Sequence, residues 1–275
     1  MTGQQTASPA YLGPKQAWGL GARVASAIVG LPLLALAVWY GGPTLTAVVA
    51  FVSIIAAYEF FSMGRQAGAA PISLALLYAP LFAINAWRGN AHPELVVTGA
   101  LVLPLAWLAL RFQGARSFQS WAWTTMGLLY AGWLPAYAVL LRLGTHGKGW
   151  LFVAVFGCFA VDTAAYFVGK LFGRHKMAPS ISPGKTWEGA VGGLLGGMLG
   201  AWVVSLPFDF ISSGEAVVAG AVIAVVAQVG DLAESMLKRS ADVKDAGRLI
   251  PGHGGILDRL DSQVFAIPVI YYFFQ

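Results

Sequence analysis

The sequence predicts an all-α, polytopic transmembrane bundle of about nine spans with its N-terminus in the cytoplasm, on three grounds. Of its 275 residues 57% are hydrophobic and only 11% charged, too few charges to cover a water-soluble globule, where about 25% is usual. The apolar residues fall in runs of about 20, the length of a helix that crosses a bilayer core. The runs lack the strict alternation of a membrane β-barrel strand.

The spans are expected near 24–40, 44–61, 71–87, 95–110, 121–141, 150–168, 187–206, 216–230 and 262–274. The last is short, and the Pro- and Gly-rich first four leave room for one re-entrant segment. Arg23 ahead of the run from Val24 resembles the start of a signal peptide, but no convincing cleavage site follows and the run is long enough to stay as a span. With the N-terminus inside, fourteen basic residues fall on the inner side: Lys15, Arg23, Arg65, Arg111, Arg116, Lys170, Arg174, Lys176, Lys185, Lys238, Arg239, Lys244, Arg248 and Arg259. Three fall outside: Arg88, Arg142 and Lys148. That asymmetry sets the predicted orientation and puts the two longest polar loops, 169–186 and 231–261, on the cytoplasmic side. The net charge of +5 therefore reads as topology and anionic-lipid contact, not as nucleic-acid binding.

Two regions are expected: N-terminal helices over residues 1–145 (about five spans) and a C-terminal catalytic membrane region over 146–275 that carries the polar loop. Cys158, the one cysteine, reads as a small core residue. Tryptophans at span ends, among them Trp87, Trp121, Trp150 and Trp187, suit an interfacial belt. His92, His146 and His175 read as solvated. The helix from Trp187 carries two four-residue glycine rows, Gly189/Gly193/Gly197 and Gly192/Gly196/Gly200. They permit close helix approach, within the chain or across a homodimer.

Charge concentrates in one place. Asp231, Glu234, Lys238, Arg239, Asp242, Lys244, Asp245, Arg248, Asp258, Arg259 and Asp261 crowd into 31 residues, with both signs interleaved as a site for cations and phosphates requires. Asp231, Glu234, Ser235 and Lys238 share one face if the span before them continues as a helix. Asp231 ends an apolar run, where an unpaired carboxylate is costly; a cation, or a salt bridge to Lys238 or Arg239, would compensate it. The turn Pro251-Gly-His-Gly-Gly255 lets backbone approach a ligand closely, and Asp258 and Asp261 follow one helical turn apart. Asp162 lies mid-span with Tyr166 and Lys170 on its face, as a functional group or as a partner of Lys185. Ser182-Pro-Gly-Lys-Thr-Trp-Glu-Gly189 is expected to open a helix with Pro183 in its first turn and backbone N–H groups toward phosphate. Its Gly-Lys-Thr triplet is not a P-loop: Pro179 stands where the first glycine belongs, and no strand is expected before it.

The stretch SMLKRSADVKDAGRLIPGHGGILDRLD, Ser235 to Asp261, resembles the signature of the phosphatidate cytidylyltransferase family at every fixed position. The likeness extends upstream through Asp162, Tyr166, Gly169 and the Ser182–Gly189 segment, whereas the first four spans match only as generic apolar helices. The resemblance implies an enzyme of the inner membrane, with its site facing the cytoplasm, that joins CTP to phosphatidic acid. It implies that Asp231 and Asp258 hold the cations, Mg²⁺ with a monovalent ion such as K⁺, and the shell extends to Glu234 and Asp261. Lys238, Arg239, Lys244 and Arg259 become candidates for the triphosphate and the lipid phosphate. Lys185, Ser182 and Asp162 are further substrate-binding candidates, and Asp245 and His253 orienting groups. A lipid kinase or ether-lipid cytidylyltransferase that uses CTP would share this logic. A transporter or channel would instead place charge near mid-membrane in several spans.

Overall fold

The protein is described from a computed structural model that covers residues 20–112, 114–247 and 254–274, with side chains from Ile28 onward. In chain order the elements are α1 (Leu20–Tyr40), α2 (Gly42–Gln66), a 3-10 turn (Ser73–Leu77), α3 (Ala79–Trp87), α4 (Pro93–Leu110) and α5 (Ala115–Leu128). A π turn (Leu129–Trp133) then runs into α6 (Leu134–Leu143). Next come α7 (Gly147–Phe172), β1 (Lys176–Ala178), β2 (Ser182–Thr186), α8 (Trp187–Ser205), α9 (Ser213–Ser240), α10 (Leu257–Leu260) and α11 (Gln263–Phe274).

Every stretch expected to span carries helix, but six described helices are long and apolar enough to cross a membrane: Gly42–Gln66, Pro93–Leu110, Ala115–Leu143, Gly147–Phe172, Trp187–Ser205 and Ser213–Ser240. Of the other expected spans, α1 is 21 residues long, whereas α3 and α11 fall short for local reasons. Pro80 opens α3 and, lacking an N–H, cannot continue a helix from the 3-10 turn before it. The 12 residues of α11 reach only about 18 Å. Pro135 poses the same problem inside Ala115–Leu143, and the π turn relieves it: the Leu134 N–H donates to Leu129 O, five residues back, and the helix continues.

The glycine rows of α8 are taken up inside the chain. Gly192, Gly196 and Gly200 lie against Val168, Ala164 and Ala160 of α7, while Gly193 and Gly197 sit in the crease between α7 and α9, touching Val161, Gly220, Ala224 and Gln228. Three backbones thus approach closely where a side chain would hold them apart. The opposite face of α8, Val191, Leu195, Leu199 and Val203, stays exposed. Cys158 is buried. Trp87 and Trp187 are exposed as an interfacial belt requires, but Trp150 is buried and packs on Phe274, so its place at a span end did not predict its environment.

Specific contacts sort the helix ends. At one end Arg142 Nε donates to Val38 O at 2.9 Å and Nη2 to Trp39 O at 3.1 Å, capping the last carbonyls of α1, and Lys148 lies over the Trp39 ring. At the other end the two long polar segments meet, Arg239 Nε donating to Ile181 O at 3.2 Å. One of these segments is the antiparallel hairpin β1–β2, pairing Lys176 with Thr186 and Ala178 with Ser182. It corrects the expected helical opening: Pro183 lies in a strand, and the helix begins at Trp187 behind Thr186, whose extended backbone and side-chain oxygen, accepting from Gly189 N at 3.1 Å, make the N-cap. The triplet is therefore extended chain, unlike a P-loop, although a strand does lead into α8. His92, His146 and His175 are exposed, as read, each beside a neighbour: His175 Nδ1 lies 2.6 Å from Glu188 Oε1, His92 Nδ1 3.3 Å from Glu94 Oε1, and His146 stacks on Phe210.

A Cβ added at Gly197 would meet Val161 Cγ2 at 2.7 Å and Gly220 O at 2.8 Å, whereas one at Gly214 meets open space. Gly197→Val is expected to lower stability by about 1–3 kcal/mol through overpacking. Gly214→Ala should leave thermal unfolding of the detergent-solubilised protein unchanged or slightly higher.

Candidate active site

The site begins with the length of α9. The apolar run ends near Gly230, but the helix continues to Ser240, so Asp231, Glu234, Ser235 and Lys238 do share a face. Ser235 Oγ donates to Asp231 Oδ1 at 3.5 Å, and Lys238 Nζ stands 3.1 Å from Glu234 Oε1, one turn back. The helix stops in a tight turn with Asp242 at φ 55°, a left-handed conformation that Asp tolerates better than most residues.

Lys238 then reaches across the chain. Its Nζ donates to Asp258 Oδ1 at 2.7 Å. Asp258 also accepts from Ala246 N at 3.1 Å and Gly255 N at 2.9 Å, so this carboxylate ties both ends of the signature loop to α9. Burial opposes its ionisation, but Lys238 and the Gly255 and Ala246 N–H groups prevail and hold it below the usual carboxylate range. Gly254 is held at φ 83°, where a side chain would be strained. Lys238, Asp258 and Glu234 are 13%, 9% and 0% exposed, so these charges meet nearly out of water.

A second pair adjoins the first. Lys185, at the end of the hairpin, places Nζ 2.7 Å from Asp231 Oδ2 and 3.5 Å from Gln228 O. The salt bridge to Asp231 thus comes from another segment, not from Lys238 or Arg239. Asp162 of α7 accepts from Ser262 Oγ at 3.5 Å, while the close ion pair of Lys185 is with Asp231. The expected face beyond Asp162 is present, Lys170 Nζ lying over the Tyr166 ring. Asp261 accepts from Ser262 N at 2.7 Å. Burial first, then the charges of Asp231 and Asp162, push its carboxyl up to about 7. The carboxylates of α7, α9 and the α10 segment therefore gather at one end of the bundle.

The other candidates lie around this core. Arg239, Lys244, Asp245 and Arg259 are exposed and Ser182 half-buried. Arg239 is spent in part on the loop itself, donating to Ile181 O and Val243 O. His253, with the rest of residues 248–253, lies outside the described residues. Glu59 of α2 was not anticipated. It is 4% exposed and accepts from Ile256 N at 3.2 Å and Leu257 N at 2.8 Å. An ionisable residue inside an apolar run was the available signal.

The donor set suits a hard cation in chemistry. It is all carboxylate oxygen, and fully buried Glu234 meets, among the described residues, only the Lys238 ammonium, 3.1 Å from Oε1. Among the described residues no three His, Cys, Asp or Glu side chains close into a ready-made cage. An ion that keeps waters and substrate phosphates as ligands, holding to one or two carboxylates, needs no such cage.

Two outcomes are expected. Lys238→Met leaves Glu234 and Asp258 without their shared counter-charge and should cost about 3–5 kcal/mol; adding Glu234→Gln should recover much of it in thermal unfolding. The raised Asp261 carboxyl contributes stability that is complete below its unfolded value of 3.8 and lost as pH rises through about 7. Cation-free protein should therefore melt higher at pH 5.5 than at pH 8, and Asp261→Asn should flatten that difference.

The pattern of the Cytidylyltransferase family matches residues 21–275. A phosphatidate cytidylyltransferase of Synechocystis sp. is 35% identical over 286 residues, covering 91% of this chain and 95% of the relative. The chloroplastic phosphatidate cytidylyltransferase 5 of Arabidopsis thaliana is 35% identical, covering 85% of this chain and 66% of the relative. A phosphatidate cytidylyltransferase of Brucella suis is 45% identical over 159 residues, 55% of this chain and 56% of that one. With the family pattern matched over nearly its whole length, the chain belongs to the cytidylyltransferase family.

Proposed function

We propose that the chain is a phosphatidate cytidylyltransferase, converting CTP and phosphatidate into CDP-diacylglycerol and pyrophosphate. The observation that carries this reading is the gathering of Asp231, Glu234, Asp258 and Asp261 with Lys185 and Lys238 at one end of an apolar helix bundle. Charge of both signs, excluded from water, is what a site needs to hold a triphosphate and a lipid phosphate together.

The chemistry asks little of a base. A phosphatidate oxygen, already anionic at neutral pH, attacks the α-phosphorus of CTP. A new P–O bond forms, the bond to the oxygen bridging the α- and β-phosphates breaks, and pyrophosphate leaves. Lys238 and Lys185 neutralise charge on the phosphates, and Arg239, Lys244 and Arg259 extend the positive surface toward the lipid headgroup. Asp231 and Asp258 would hold Mg²⁺, with Glu234 and Asp261 beside it and a monovalent ion such as K⁺ as the second cation. Bound there, the metal would supply positive charge that offsets charge developing on the triphosphate and the leaving pyrophosphate. Asp245 and His253 orient these groups, Ser182 lines the hairpin side, and Asp162 and Ser262 support Asp261.

The finer topology belongs to the same proposal: nine spans, an N-terminus inside, helices 1–145 as scaffold for the catalytic region 146–275, and a site on the cytoplasmic face of the inner membrane. The outward row Val191, Leu195, Leu199 and Val203 is the surface of α8 left for lipid or for a second copy in a homodimer.

Purified protein with phosphatidate in mixed micelles, Mg²⁺ and CTP labelled at either the α- or the γ-phosphate tests the reading. Label from the α-position should enter the lipid, with pyrophosphate released in equal amount; γ-label in the lipid would mark a kinase instead. Asp258→Asn should lower turnover at least ~100-fold with helix content intact, and near-normal turnover would remove Asp258 from the site.

A further inference from the structure

Glu59 lies in a helix otherwise fit to cross a membrane, seven residues before its end and so about 10 Å in from it. A carboxylate there is costly unless something answers it. What answers it is the backbone of the signature loop, nearly 200 residues later: Oε1 accepts from Ile256 N and Oε2 from Leu257 N. These two N–H groups open α10, which starts at Leu257 with Ile256 as N-cap and without a cap from its own side chain. Glu59 thus supplies from α2 the acceptors that a helix start needs.

The glycines of the signature carry the second observation. A Cβ at Gly255 would lie 2.5 Å from Glu59 Oε2 and 2.7 Å from Cδ, and one at Gly247 would also collide with the Glu59 carboxylate. Both sides of the loop are therefore bare where Glu59 enters. Gly254 has a different reason to be glycine, its positive φ. Gly255, next to Ile256, donates to Asp258, and Asp258 follows Leu257 directly. Fixing the N–H groups of 256 and 257 fixes the start of the turn that aims the Asp258 carboxylate at Lys238.

We propose that Glu59 is a positioning residue of the active site: it anchors the 255–257 backbone to α2 and so sets the place of Asp258. This rests on the reading of Asp258 as part of the cytidylyltransferase site, and it gives the N-terminal helices a part in catalysis that their sequence, generic and apolar, does not announce.

The test uses the full chain and two readouts. Glu59→Gln keeps one acceptor and the volume, while Glu59→Ala removes both acceptors. Amide hydrogen exchange over 254–262 is expected to quicken at least tenfold in Glu59→Ala and less in Glu59→Gln, with exchange in α7 and α8 unchanged. In the CTP and phosphatidate assay kcat should fall about 100-fold in Glu59→Ala, as for a group misplaced by about an ångström, with partial rescue in Glu59→Gln and KM for CTP changed far less than kcat. Should Glu59→Ala fail to fold, Glu59→Gln carries both measurements. Exchange that quickens uniformly through the bundle, or kcat within twofold of the parent, overturns the proposal. If the parent chain lacks the transferase activity altogether, the functional reading falls, while the exchange data still decide whether Glu59 holds the loop.

Discussion

One ammonium group ties the site together. Lys238 stands between Glu234, one turn back on its own helix, and Asp258, twenty residues on across the signature loop. Glu234 is fully buried, and its oxygens lack other partners among the described residues. A carboxylate in that position is tolerable only with positive charge against it. Lys238 is also shared: its Nζ stands 2.7 Å from Asp258 Oδ1 and 3.1 Å from Glu234 Oε1. The buried acids exceed what one lysine can balance, which is the condition of a site made to receive further positive charge.

The neighbouring pair obeys the same constraint through different means. Lys185 meets Asp231 because the hairpin is short, Thr186 caps α8 at once, and α8 lies close against both α7 and α9. That closeness comes from glycine. Val161 and Val168 of α7 and the backbone of Gly220 on α9 occupy the space that side chains on α8 would fill. In a bilayer, where apolar side chains gain little by leaving lipid, such intimate packing is a main source of helix association. The charge pairs at the signature-loop end and the glycine crease below them are thus parts of one arrangement.

Much of this was legible in the sequence, and what was not had physical causes. The shared face of Asp231, Glu234 and Lys238 follows from helical spacing, so it needed only that α9 continue. The glycine rows announced close approach, though not that both would be consumed within the chain. Spacing along one helix offers only Lys238 or Arg239 as an ion-pair partner for Asp231, whereas Lys185 arrives by a fold of the chain that local pattern does not encode. Pro183 suggests a helix start equally well as a strand before one, and hairpin pairing decided it. Counting apolar runs gives nine spans; six described helices meet length and hydropathy by themselves, and Pro80 and the shortness of α11 account for two that do not. Glu59 lies in the half of the chain that the signature does not reach, where only a charge inside an apolar run marks it.

The depth of the acids bears on why the site is built from a membrane helix at all. The 28 residues of α9 make a helix of about 42 Å, about 12 Å longer than a hydrocarbon core. Ser212 and Glu215 close a capping box at its start, Ser212 Oγ accepting from Glu215 N and Glu215 Oε2 from Ser212 N, which suits the polar edge of a bilayer. Measured from that edge along the helix axis, a core of about 30 Å would end near Asp231 and leave Glu234 and Lys238 beyond it. A lipid phosphate resides at that level, and a nucleotide triphosphate reaches it from water. A soluble domain would have to lift the lipid out of the bilayer to the same charges; a helix that carries the charges down to the phosphate leaves the acyl chains in oil throughout.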